Sequence, residues 1–143
     1  MRISRDRFLM GTAKLAQQRS TCLRLRVGAV VAREGRILVT GYNGAPKGMP
    51  HCTPETCNPS TPCRNAAHAE GNCVSFAAKL GISLDDTTLY TTDSPCDFCA
   101  KLIINAGIVE IVFEREYRDQ EPMELLHEAG IIVRRVAVLG PEP

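Results

Sequence analysis

Tryptophan is missing from this 143-residue sequence and other aromatics are few, yet a core is not excluded, because 44% of the residues are apolar. With 23% charged, the composition is that of a soluble globular domain. An excess of charge of one sign is missing too. Seventeen Lys and Arg against sixteen Asp and Glu leave a net +1. That balance argues against broad electrostatic capture of nucleic acid, which needs many cations facing a phosphate ladder. A small ligand held by two or three basic residues remains compatible with it. No apolar run approaches the roughly 18 to 20 residues of a membrane span, and "MRISRDRFLMG" has no continuous apolar stretch of a secretory signal. The expected location is the cytoplasm, or the host cytoplasm for a viral source, with no membrane or nucleic-acid partner. There is no low-complexity tract and no internal repeat, and the length suits one domain over residues 1–143.

Cysteine, by contrast, is plentiful. Seven is an odd number, so the cysteines cannot all pair within one chain. In a reducing compartment clustered cysteines are read first as metal ligands.

Ser4 is placed to cap a helix running to about Gln18, with Phe8, Thr12, Leu15 and Ala16 as its apolar stripe. "VGAVVAREGRILVTGYNG" predicts two strands hinged at Arg33 to Arg36, an antiparallel hairpin. Residues 44–64 hold five prolines and three cysteines, which predicts a long loop with a function or an internal staple. A helical pattern runs from Asn65 to Lys79 and stops at Gly81. "TTLYTTD" is a strand, followed by a helix opened by Pro95 and ended at Gly107. "IVEIVFE", "EPMELLHEA" and "IIVRRVAVL" continue as strand, helix and strand. Alternating strands and helices after residue 87 imply right-handed crossovers and parallel pairing. The expected fold is therefore α/β: a mixed five-stranded sheet, its first hairpin antiparallel and its later strands parallel, with helices on both faces.

Chemistry concentrates in two short motifs. "HAE" puts His68 and Glu70 at the start of one helix, and "SPCDFC" puts Cys96 and Cys99 at the start of the next. Alone, the first reads as a solvated helix start, and the second as a redox pair or half of a zinc ribbon. Together they supply one imidazole and two thiolates, a three-ligand zinc set with an open fourth position, the mark of a catalytic site. Helix N-termini favour the thiolates that zinc requires. Zinc brings the pKa of bound water to about 7, making hydroxide available, and Glu70, which is surplus as a ligand, is placed to carry protons. H-x-E with P-C-x-x-C is the signature of zinc nucleobase deaminases, in which an amine leaves an aromatic carbon by hydrolysis.

The chain resembles the deoxycytidylate (dCMP) deaminases of the cytidine deaminase-like superfamily. The matching stretches are "STCLRLRVGAVV", "GYNGAPKG", "HAEGN", "TTDSPCDFCAKLIINAGI" and the tyrosine of "EREYRD". The resemblance implies a three-layer α-β-α fold and hydrolysis of dCMP to dUMP and ammonia, feeding thymidylate synthesis. It implies Glu70 as the proton carrier, with Asn43 at the sugar or base and the backbone of Ala69 and Ser94 lining the base pocket. Arg26, Tyr117 and Arg118 are expected at the 5′-phosphate. It further implies a hexamer activated by dCTP with Mg2+ and inhibited by dTTP, through a site near Asn43, Gly44, Phe76 and Lys79, with Asn72 at its edge. Cys22, Cys52, Cys57 and Cys63 make a candidate structural zinc site, in which His51 is the alternative to one cysteine. Cys73, one turn beyond Ala69, reads as core. Related zinc enzymes acting on free cytidine, guanine or a transfer-RNA base share these motifs, and a non-catalytic zinc module is the remaining alternative. The balanced charge disfavours transfer RNA, and the surplus Glu70 disfavours the purely structural module.

Overall fold

In the computed structural model of the chain, residues 1–61, 63–117 and 119–137 are described. Five strands form one sheet: β1 (Gly28–Arg33), β2 (Arg36–Tyr42), β3 (Thr87–Asp93), β4 (Ile108–Arg115) and β5 (Ile132–Arg135), in the order β2-β1-β3-β4-β5. β1 is antiparallel to both β2 and β3, while β3, β4 and β5 run parallel. Glu34 and Gly35, at φ 52° and 78°, form the tight two-residue link of the hairpin. Residues of β1 alternate between two cores. Ala29 and Val31 face the side covered by α2 (Ala69–Leu80), α3 (Asp97–Asn105) and α4 (Glu121–Glu128). Val30 and Ala32 face α1 (Arg5–Gln17). The expected mixed sheet with helices on both faces is thus the observed architecture.

Ser4 caps α1 as expected, its Oγ accepting from the Arg7 amide at 3.1 Å. The buried face of this helix differs from the expected stripe, however. Leu9, Met10 and Ala13 are buried, whereas Phe8 and Leu15 are 47% and 65% exposed. Polar anchors set the rotation: Asp6 accepts from the Tyr90 hydroxyl at 2.6 Å and pairs with Arg134, and Lys14 pairs with the buried Glu114 at 3.1 Å. These groups share the face of Leu9 and Ala13, so that face turns to the sheet. Gly28 allows the approach, because a Cβ there would overlap the Ala13 carbonyl and the backbone of Gln17.

Two helix starts also differ from the pattern. α2 begins at Ala69 rather than Asn65, because Ala67 pairs its backbone with Gly44 and keeps the preceding segment extended. α3 begins at Asp97 with Cys96 as its cap, so Pro95 lies before the cap and not in the first turn. The last strand ends at Arg135, short of the expected run to residue 139, whose end lies outside the described residues.

The β2 to α2 contact brings the helix close to the sheet. At Gly41 a Cβ would overlap the Ala69 carbonyl and stand 2.9 Å from Cys73 Sγ. Cys73 is fully buried, which bears out its reading as core.

The Asp6 carboxyl is held below its ordinary 3.8, chiefly by the hydrogen bond from Arg134. A carboxylate with a lowered folded pKa contributes stability above its unfolded pKa and loses it as pH falls through the folded value. Asp6→Asn should therefore lower the melting temperature at pH 7 by about 1 to 3 °C, a modest effect for a partly exposed pair. Thermal melts should show the gap from wild type closing as pH drops below 3.8; a gap that persists unchanged at pH 2 would contradict the assignment.

Candidate active site and metal centre

β3 ends at Asp93 and leads through Ser94 and Pro95 into the cap of α3, and the first turn of α2 lies alongside. Ligands of open α/β sheets bind beyond the carboxyl ends of strands, where helix N-termini converge. Here the convergence brings together His68, the cap of α2, with Cys96 and Cys99. His68 Nδ1 lies 3.3 Å from Cys96 Sγ and 3.5 Å from Cys99 Sγ, and all three ligand atoms lie within 4.8 Å of one another. Among the described residues this is the one such group of three or more His, Cys, Asp or Glu side chains. One imidazole nitrogen and two sulfurs suit zinc and not the hard cations that take oxygen ligands. The structure thus assembles the expected triad, and the donor set fits zinc.

The surrounding charges favour a thiolate. The Cys96 thiol is pulled well below its ordinary range, first by a hydrogen bond from Cys99, and Cys99 is pushed up in return. His68 is raised, chiefly by its hydrogen bond to Cys96. The Gly71 amide, in the first turn of α2, hydrogen-bonds Cys99 and opposes its rise. Glu70 is 4% exposed, and burial pushes its carboxyl up to about 7. A carboxyl near neutrality both gives and takes protons at working pH.

These groups open on a cavity of about 630 Å³, within the range of small-molecule sites. His68, Ala69, Glu70 and Cys96 line one part of it, and Asn43, Ser94 and Tyr117 also line it. Ser94 Oγ accepts from the Tyr117 amide at 2.6 Å, tying the end of β3 to the chain beyond β4. Asn43 is itself held in place by side-chain hydrogen bonds. Its Oδ1 accepts from Ser20 Oγ at 2.6 Å and from the Val27 amide at 2.8 Å, and its Nδ2 donates to the Leu25 carbonyl at 2.6 Å. Arg26 is exposed, its carbonyl accepts from Gln17 of α1, and it is not among the residues lining the cavity. Arg24, which the sequence reading passed over, does line it and donates to the carbonyls of Thr61 at 3.0 Å and Pro59 at 3.2 Å. Asp93 also lines the cavity and was not singled out, although a carboxylate directly before "SPC" was the available signal. Arg118 lies outside the described residues.

Cys22, Cys52 and Cys57 are half-buried and Cys63 is exposed. They are neighbours, since burial first and then the charges of Cys63, Cys22 and Cys57 raise the Cys52 thiol. They do not form a group as tight as the His68 triad among the described residues, and His51 is exposed. On α2, Phe76 is 37% exposed and Lys79 is exposed, and Asn72 Nδ2 donates to the Tyr42 carbonyl at 2.7 Å. No helix among the described residues is long and apolar enough to cross a membrane.

Comparison with known proteins agrees with this geometry. The family model for the cytidine and deoxycytidylate deaminase zinc-binding region matches residues 3–115. Deoxycytidylate deaminase of Saccharomyces cerevisiae is 38% identical over 144 aligned positions, covering 94% of this chain but 46% of the yeast protein, so the chain spans less than half of that relative. ComE operon protein 2 of Bacillus subtilis is 37% identical, over 94% of this chain and 72% of its own length. The dCMP deaminase of cyanophage S-TIM5, solved in complex with dCMP and dUMP, superposes with a TM-score of 0.85 at 33% identity, covering 95% of this chain and 99% of the phage enzyme. The matched region contains the whole His68, Glu70, Cys96 and Cys99 cluster, and the likeness extends over nearly the entire chain. This protein belongs to the zinc-binding cytidine and deoxycytidylate deaminase family.

Proposed function

We propose that the chain hydrolyses dCMP to dUMP and ammonia, a reaction whose product serves thymidylate synthesis. The observation that carries this reading is Glu70, a buried carboxyl near neutrality beside a three-ligand zinc set, in a fold that a dCMP-binding enzyme shares over nearly its full length. Zinc held by His68, Cys96 and Cys99 supplies a Lewis acid that makes water nucleophilic at neutral pH. The protein's own part is positioning and proton transfer. Ala69 and Ser94 line the cavity beside Glu70 and offer backbone groups to the base. Glu70 takes a proton from the attacking water, delivers one to ring nitrogen N3 and then serves the departing amine, so one carboxyl acts as base and then as acid. Asn43 has both oxygen lone pairs occupied, so it meets the substrate as a donor. Arg24 and Tyr117, in the cavity wall, are the groups we assign to the 5′-phosphate, with Arg118 next to Tyr117 in sequence. Arg26, exposed and two residues from Arg24, is the further arginine that the family resemblance implies for the phosphate.

The family resemblance supports three further elements of the proposal. The four clustered cysteines take a second, structural zinc that ties the loop of residues 44–64 to Cys22. The chain assembles as a hexamer. Activation by dCTP with Mg2+ and inhibition by dTTP act through the surface near Gly44 and Asn43, where Phe76 offers an exposed ring and Lys79 a cation.

Ultraviolet assays on dCMP, deoxycytidine and guanine test the substrate. dCMP should be consumed fastest, and turnover of another base with dCMP untouched would contradict the reading. Glu70→Gln should keep its zinc and lose about 10²- to 10⁴-fold in kcat; near-normal activity would remove the proton-carrier role. Metal analysis should give two zinc per chain, falling to one in Cys52→Ser, whereas one zinc in the wild type would rule out the structural site. Adding dCTP with Mg2+ should raise activity at low dCMP and dTTP should depress it, in a particle whose mass by light scattering is six chains. A flat response in a monomer would remove the regulatory proposal.

A further inference from the structure

The cavity wall contains a carboxylate that the proposed reaction leaves without a role. Asp93, the last residue of β3, is 6% exposed. Its Oδ2 is fixed by two donors, Thr92 Oγ1 at 2.9 Å and Arg115 Nη2 at 3.0 Å. Arg115 stands directly opposite in the register of β4. Oδ1 has no donor among the described residues. Nor is it sealed inside protein, since the one enclosed side-chain atom without a partner among those residues is Glu114 Oε2. Asp93 lines the cavity, so its unused acceptor is offered there. A substrate that excludes water from this oxygen without donating to it would leave a carboxylate oxygen unbonded at a cost, whereas one that donates to it avoids that cost.

The chemistry of dCMP narrows the donor. On the base, O2 and N3 accept, and the amine is the group that leaves beside Glu70. The phosphate is anionic and is repelled by a carboxylate. The deoxyribose carries one free hydroxyl, at C3′. Asn43 lines the same cavity but has no acceptor left, because Ser20 and Val27 occupy its Oδ1. A sugar hydroxyl that accepts from Asn43 Nδ2 must give its own hydrogen to something else. We infer that Asp93 Oδ1 accepts the hydrogen bond of the substrate's sugar hydroxyl, which makes Asp93 a specificity-determining residue and Arg115 its positioning residue. The inference rests on the dCMP reading above and adds to it a demand for a 3′-hydroxyl.

The test compares kcat/KM for dCMP and for its 2′,3′-dideoxy analogue in the zinc-loaded enzyme. Both values come from one preparation, so the ratio does not depend on the active fraction. The wild type should favour dCMP by about tenfold to a hundredfold, as for a hydrogen bond to a charged acceptor. In Asp93→Ala the ratio should fall to about one through loss on dCMP alone, with the analogue turned over at about the wild-type rate. Arg115→Gln keeps the carboxylate and removes its anchor, so it reports on the same contact even if the alanine variant does not fold. Its ratio should fall part of the way, through KM for dCMP and not through kcat. Wild-type enzyme that treats both substrates alike, or variants that keep the wild-type ratio, would overturn the inference. Wild-type enzyme inert on dCMP would instead overturn the substrate reading on which it stands.

Discussion

The close contact between β2 and the first turn of α2 is the constraint on which the active site depends. With hydrogen in place of a side chain at Gly41, the Ala69 carbonyl and Cys73 rest against the strand backbone. His68 and Glu70 flank Ala69, so the contact that places one helix turn places both the imidazole of the His68, Cys96 and Cys99 cluster and the buried Glu70 carboxyl. The second half of the site follows from topology. A parallel β3 to β4 crossover puts α3 on the same face as α2, and the loop from Asp93 to Cys96 delivers the two sulfurs to His68 Nδ1. Two helix N-termini therefore meet at one point, where their amides favour anionic sulfur.

Burial then sorts the titratable groups by function. Glu70 sits in the apolar junction and is raised toward neutrality, while Asp93, at similar exposure, has Arg115 and Thr92 on one oxygen. Two carboxylates in one cavity wall are thus set apart by their partners, which suits the one to the proposed proton transfer and the other to the proposed acceptance of a hydrogen bond. Arg24 adds the third kind of group. Its two bonds to the carbonyls of Pro59 and Thr61 tie it to the cysteine-bearing loop, whose Pro59, Ser60, Thr61 and Cys63 also line the cavity.

Strand positions were legible in the sequence because alternation and turn chemistry act locally. "TTLYTTD" coincides with β3, and the hairpin turns at Glu34 and Gly35. The His68, Cys96 and Cys99 cluster was legible because these residues sit in fixed spacings at helix starts. Long-range choices were hidden. The rotation of α1 depends on Asp6 meeting Tyr90 and Arg134, far along the chain, so a local stripe selected Phe8 and Leu15 instead of Leu9 and Met10. The start of α2 was hidden by the Gly44 to Ala67 bridge. Arg24 and Arg26 are indistinguishable by residue type, and the fold alone decides which one lines the cavity.

The central claim is that these residues form a zinc-dependent deaminase of a deoxynucleotide. It is tested most directly by measuring ammonia and dUMP released per dCMP consumed, before zinc removal, after chelation and after zinc is restored. The account predicts one ammonia and one dUMP for each dCMP, a rate that vanishes with the metal, and recovery on adding zinc back. Unchanged turnover in fully zinc-depleted protein, or restored zinc with dCMP left intact, would contradict it.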